Sequence, residues 1–85
     1  MEKHGHEYTI SLYLDGEQVD EENFDNFSDA DYRFDELISV SRRKNTYDYL
    51  ELKEIYWEYN RHFEQVEYYP EILSTWNADD EREEY

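Results

Sequence analysis

The feature that most constrains this chain is a short alternation near its start. Tyr8, Ile10, Leu12 and Leu14 fall on one side of an extended segment, with Thr9, Ser11 and Tyr13 on the other. Period-two apolar residues among β-formers predict a half-buried strand. Asp15-Gly16 follows directly. A two-residue hairpin turn of this kind needs positive φ at both positions, and Asp-Gly meets that need. Glu17-Gln18-Val19 then begins a returning strand, so the chain is expected to open with a β-hairpin.

A hairpin alone is marginal in water, so the rest of the chain has to cover its apolar face. Three patterns bear on how it does so. Ala30, Phe34, Leu37, Ile38 and Ser41 keep a helical period. Ser28 is a suitable N-cap, Asp29 and Asp31 suit a first turn, and Arg42-Arg43-Lys44 suit the negative end of the helix dipole. This predicts a helix over 29–42. A competing reading places a strand at 36–41, turning through Arg43-Lys44-Asn45 into a strand at 47–52. Tyr49, Leu52, Ile55, Tyr56, Tyr59, Phe63 and Val66 form a longer stripe at helical spacing and predict an amphipathic helix over 47–68. Tyr69 precedes Pro70 and is pushed out of helical geometry. Pro70 can open a short helix through Trp76.

The expected fold class is therefore α+β: an N-terminal β-hairpin with two to three helices around one small core. The 85 residues make a single domain, with 1–6 and 77–85 read as frayed ends. There are no cysteines, so neither a disulfide nor a thiolate-bound metal can staple it. The apolar runs are far too short to span a membrane, and no signal-peptide pattern opens the chain. A soluble, cytoplasmic protein with no membrane contact is the expectation.

Charge sets the functional expectation. Asp and Glu number 24 against 8 Lys and Arg, for a formal net charge of -16. Leu, Ile, Val and Phe make only 17 of the 85 residues, which borders on the disordered class. Ten Tyr, four Phe and two Trp pull the other way, because rings bring large buried area with few rotatable bonds. Such a charge opposes folding through self-repulsion, so it calls for an explanation beyond stability. Solubility or a halophilic origin is the plain one. A surface that competes with a polyanion is the functional one.

Other uses of so many carboxylates fail specific tests. Against the calcium-loop template, Asp25, Asp29, Asp31 and Glu36 fall at ligand positions, but Phe27 stands where an oxygen is needed. Ala30 stands where Gly makes the sharp turn, and Arg33 occupies a further ligand position. His4 and His6 flank a glycine near the start and His62 is distant, so no zinc spacing exists. No metal and no cofactor is assigned. There is no glycine-rich phosphate loop, and Ser28 and Ser74 read as caps or turn residues rather than nucleophiles, so an enzyme is not expected. Direct nucleic-acid binding needs a basic surface, and Arg42-Arg43-Lys44 is a small cluster within a strongly negative chain.

Two acidic strips remain as a candidate partner-binding surface. Residues 20–36 hold eight acids and a single Arg: Asp20, Glu21, Glu22, Asp25, Asp29, Asp31, Asp35 and Glu36, with Tyr32 among them as a candidate anchor. Glu51, Glu54 and Glu58 would line the outer face of the second helix and recur about every 5 Å along it. Duplex DNA presents a phosphate about every 3.4 Å per strand, so such rows can meet Lys and Arg placed for phosphates. A solvated helix face is the plain reading of either row taken alone.

In size, charge, missing cysteines and interleaved aromatics and acids, the chain resembles DNA-mimic inhibitors of phages and mobile elements. These include anti-CRISPR, anti-restriction and uracil-DNA glycosylase inhibitor proteins. The resemblance is one of whole-chain composition. It implies stoichiometric inhibition of a basic nucleic-acid-binding protein, such as a Cas effector, restriction enzyme, glycosylase or nuclease, by occupying its cleft. Tyr68-Tyr69-Pro70 is similar to a segment of the small helical immunity proteins of colicin DNases, which implies the alternative of an antitoxin against a basic nuclease. An acidic chaperone of basic proteins shares the same charge. The oligomeric state stays open, a homodimer included.

Overall fold

Alternation at Tyr8–Leu14 becomes part of an inner strand of a five-stranded antiparallel sheet that curls like half of a barrel. The computed structural model describes residues 4–81, with side chains to residue 80. In chain order the elements are β1 (His4–Leu14), β2 (Glu17–Phe24), α1 (Phe27–Lys44), β3 (Tyr49–Tyr59), β4 (Gln65–Glu67), β5 (Glu71–Asn77) and a single-turn α2 (Ala78–Glu81). The chain is thus α+β, mostly antiparallel sheet with two helices among the described residues.

The turn between β1 and β2 has positive φ at both Asp15 (54°) and Gly16 (84°), as an Asp-Gly hairpin turn requires. Asp48 fastens it: its Oδ2 accepts from Asp15 N at 2.9 Å, and its own N–H donates to Tyr13 O at 3.0 Å. The Asp48 carbonyl accepts from Ala78 N at 2.9 Å, which ties α2 to the same corner. Two bulges interrupt the sheet. Val19 is the extra residue opposite Leu12/Tyr13, and Leu73 the extra one opposite Leu52/Lys53. A bulge bends its strand and sharpens the local twist, and one on each side of the β1–β3 pair accounts for the curl.

α1 starts two residues before the expected bound and ends two after it. Its N-cap is Asn26 rather than Ser28: Asn26 Oδ1 accepts from Asp29 N at 2.9 Å, and Asn26 Nδ2 donates back to Asp29 Oδ2 at 3.0 Å. Asn45 closes it in the left-handed region, donating to Ser41 O. No strand forms at 36–41. Ala30, Phe34 and Leu37 pack on Ile10, Leu12, Leu50 and Leu52, with Trp76 and Ala78 completing the core.

The second half of the chain departs most from expectation. Residues 49–59 are a strand, not the middle of a helix over 47–68, and 71–77 are a strand, not a short helix from Pro70 to Trp76. The stripe of Tyr, Ile and Trp fits both periods, because Ile55-Tyr56-Trp57 is apolar on every face. The free edge of β1 decides it. β3 pairs with β1 over its whole length, from His4↔Glu58 to Tyr13↔Tyr49, and buries Leu50 and Leu52 beside Ile10 and Leu12. A helix there would leave β1 unpaired on one edge. β4 and β5 then share the other edge of β3.

The ends differ from the expected fraying as well. His4, Gly5 and His6 belong to β1, Asn77 ends β5, and 78–81 form α2, while 1–3 and 82–85 lie outside the described residues.

Coverage divides the molecule in two. α1 and β2 cover β1 only from Tyr8 onward, so β1 and β3 run past them as a ribbon through His4–Glu7 and Ile55–Tyr59. The result is a rod of 55 × 23 × 22 Å with a packed head and a thin arm. No helix among the described residues is long and apolar enough to cross a membrane.

Candidate functional site

β2, the turn after it and α1 gather the denser acidic strip on the outside of the head. Asp20 and Glu22 lie on the helix side of the sheet, beside Leu12 and Ile10 in register, and Glu21 points to the other side beside Ser11. Arg33 reaches from α1 to β2. Its Nε and Nη2 donate to the two oxygens of Glu22 at 2.9 and 3.0 Å, and its Nη1 donates to Glu36. Both carboxylates hold the guanidinium charged, raising its pKa well above the ordinary arginine value. Glu22 and Glu36 thereby share one guanidinium and the trio keeps a net negative charge, while the bidentate contact to Glu22 fixes α1 against the edge strand.

Of the remaining acids, Glu21 accepts from Gln18 Nε2 at 3.3 Å and Asp20 Oδ1 accepts from Glu21 N at 2.8 Å. Asp29 is occupied with the helix cap. Asp31 and Asp35, four residues apart, share one exposed flank of α1, whereas Asp29, Arg33 and Glu36 share the flank toward β2. Asp25 is exposed in the turn before the helix. Among the described residues, Asp25, Asp31 and Asp35 form no ion pair. Tyr32 stands between them, 72% exposed, and with Asp35, Glu36, Ser39 and Arg43 lines a shallow open depression.

The second strip does not exist as a row. On a strand, side chains alternate, so Glu51 faces away from the helix while Glu54 and Glu58 face toward the helix side. Each is clasped by neighbours. Glu51 accepts from Tyr13 Oη at 3.5 Å and Tyr49 Oη at 3.1 Å. Glu58 accepts from Tyr56 Oη at 3.4 Å and from Tyr68 Oη. Glu54 lies beside Tyr8, and His6 Nδ1 lies 3.4 Å from it. All five tyrosines are raised above the ordinary phenol pKa. For Tyr8 and Tyr68 the hydrogen bond to the glutamate leads; for Tyr13, Tyr49 and Tyr56 burial leads and the glutamate adds to it.

These clasps explain the tyrosine content better than hot-spot chemistry does. Tyr49-x-Glu51 and Tyr56-x-Glu58 sit two apart on one strand, which puts each pair on one face. That spacing was visible in the sequence, but carries this meaning only once 49–59 is a strand. Among the described residues no three His, Asp or Glu side chains converge as metal ligands would.

Tyr68-Tyr69-Pro70 forms the break between β4 and β5 on a sheet edge, with Tyr69 fully exposed, in a fold that is mostly sheet. No protein-family model matches the chain, and no curated protein or solved structure matches it either.

Proposed function

We propose that the protein is a stoichiometric inhibitor that imitates the charge of DNA and occupies the nucleic-acid cleft of a basic protein, in the manner of phage anti-defence proteins. The observation that carries this reading is the set of open carboxylates on the head, Asp25, Asp31 and Asp35, on an elongated and strongly negative molecule. A duplex 55 Å long carries about 32 phosphate charges, and the net charge of -16 over that length averages about half this density. Carboxylates on a rod of this kind draw Lys and Arg side chains by long-range steering as well as by contact. Tyr32, exposed among them, supplies the apolar contact that charge alone lacks.

The contact surface is narrower than the sequence suggested. Glu22 and Glu36 are tied to Arg33, and Glu51, Glu54 and Glu58 are divided between faces and held by tyrosines, so the head strip carries the interaction. The same strip would serve an immunity protein facing a basic toxin nuclease or a chaperone of basic proteins, and the identity of the captured partner separates the three.

The test is capture from the native host cell followed by titration with salt and duplex DNA. Affinity is expected to fall steeply between low and moderate salt, and DNA to displace the protein. Reversing Asp31 and Asp35 to Lys is expected to weaken binding on the order of tenfold at low salt, with unfolding unchanged. An affinity indifferent to salt and to DNA rules the reading out.

A further inference from the structure

Exposed apolar surface is not spread evenly over this molecule. Of the eleven large hydrophobic residues exposed among the described residues, five lie on the arm (Tyr59, Phe63, Val66, Tyr68 and Tyr69), while Ile72 and Leu73 stand beside Lys53 and Leu52 on the head. They run from Tyr59 through the β3–β4 turn to Tyr69 after β4. Val66 and Tyr68 lie on one face of the sheet and Tyr59 on the other, so both faces beside the tip turn are apolar and exposed. A cluster of this kind marks an interaction surface more often than an accident.

The turn at the tip adds an independent observation. Phe63 has φ of 62°, the left-handed region, and is 80% exposed. Glycine or asparagine takes that conformation without steric penalty, and a bulky ring does not. The turn is nonetheless held tightly. Asn60 Oδ1 accepts from His62 N at 2.8 Å and Glu64 N at 3.1 Å, Asn60 N donates to Glu64 O at 2.9 Å, and Phe63 N donates to Asn60 O at 3.0 Å. A rigid turn thus displays a strained, uncovered phenylalanine from which the fold itself draws no packing. Outliers of this sort gather where binding over-determines them.

Charge selects the occupant. A second copy carries the same net charge of -16, and nucleic acid or an anionic membrane repels the rod likewise. A positively charged protein is the class left. β1 and β3 run unbroken from head to arm, so one partner can meet both. We propose that residues 59–69, with Phe63 as anchor, dock into an apolar pocket on the same basic protein whose cleft the acidic head occupies. The proposal rests on the charge-mimic reading for the identity of that partner.

The experiment places a photoreactive phenylalanine analogue at position 63 and, separately, at position 32, in the full chain in its native host cell. Both positions are expected to capture one and the same nucleic-acid-binding protein. With that protein purified, Phe63→Ala is expected to weaken binding about 30-fold at low and high salt alike. Phe63→Gly is expected to lose as much affinity while its unfolding midpoint stays level or rises, which a merely structural role would not produce. Capture by position 63 of nothing, of a second copy, or of a protein other than that caught at position 32 overturns the proposal, as does wild-type affinity in Phe63→Gly. The two readings fail separately. Loss at Phe63→Gly without DNA competition sinks the charge reading and keeps the docking surface; DNA competition with no effect at Phe63 does the reverse.

Discussion

Head and arm are built from the same two strands, yet they hold together in different ways. In the head, Ile10, Leu12, Leu50 and Leu52 on the facing parts of β1 and β3 are fully buried beneath α1. A few residues further along the same strands, no helix lies over them, and Tyr56 and Trp57 are only half-buried. The arm packs against itself instead. Trp57 lies flat on Gly5 and meets Tyr59 edge-on at 5.6 Å, while Tyr56 stacks near His6 and Tyr68. Stability therefore resides where aliphatic side chains are covered on one face by a helix. The aromatic ribbon is held by strand pairing continuous with that of the head, and its rings stay half-exposed.

Truncations give the largest test of that division. Leu52→Ala in the head should cost about 2–5 kcal/mol by urea unfolding, since the cavity lies in the core. Val66→Ala in the arm should cost less than about 1 kcal/mol, its side chain being exposed beside Glu58. Equal losses would mean that the arm is as much a part of the core as the head.

Gly5→Ala probes the arm alone. A Cβ at Gly5 would stand 2.6 Å from Trp57 Cζ2, so the indole has to leave the strand surface. A cost of about 1–2 kcal/mol is expected, with the emission of Trp57 shifting as it becomes exposed. Trp76 in the head, 7% exposed, should keep its environment. A change at Trp76 of the same size would show that the two regions are not separable.

Alkaline pH should act most gently, and on both regions. Tyr8, Tyr13, Tyr49, Tyr56 and Tyr68 are raised above the ordinary value of 10.0. The folded state holds these protons more tightly than the unfolded one. Their contribution is fully present below the ordinary value and is lost as pH rises through the raised ones. The urea midpoint should therefore decline above pH 10, and Tyr13→Phe with Tyr49→Phe should flatten the decline. An undiminished slope in that double variant would remove the tyrosine–glutamate clasps as its cause.

The opening strand, its Asp-Gly turn and α1 were legible because each depends on neighbours in sequence: alternation, a turn with positive φ, a 3.6-residue apolar period with basic residues at its end. The cap was misplaced by two residues, since Asn26 and Ser28 are both competent caps and only the actual start of α1 selects between them. Residues 49–59 were illegible for a different reason. Tyr49, Leu52, Ile55, Tyr56 and Tyr59 satisfy a helical stripe, and their Tyr, Ile and Trp content equally favours a strand. The candidate site followed the same line. Asp31, Tyr32 and Asp35 on α1 stand together as the helix implied. Glu51, Glu54 and Glu58 were grouped on a helix that does not form, and parity on a strand separates Glu51 from the other two.

By itself, then, the sequence determined a strongly negative charge, an opening hairpin pattern and one amphipathic helix. Local spacing and net charge are properties of the chain, and no partner strand is needed to read them. Only the tertiary structure decided that the second half joins the sheet, because the unpaired edge of β1 and the uncovered Ile10 and Leu12 outweigh a helical stripe that local interactions leave ambiguous. The same choice placed the tyrosines against the glutamates, kept the open carboxylates on the head, and carried Phe63 to the tip of an arm.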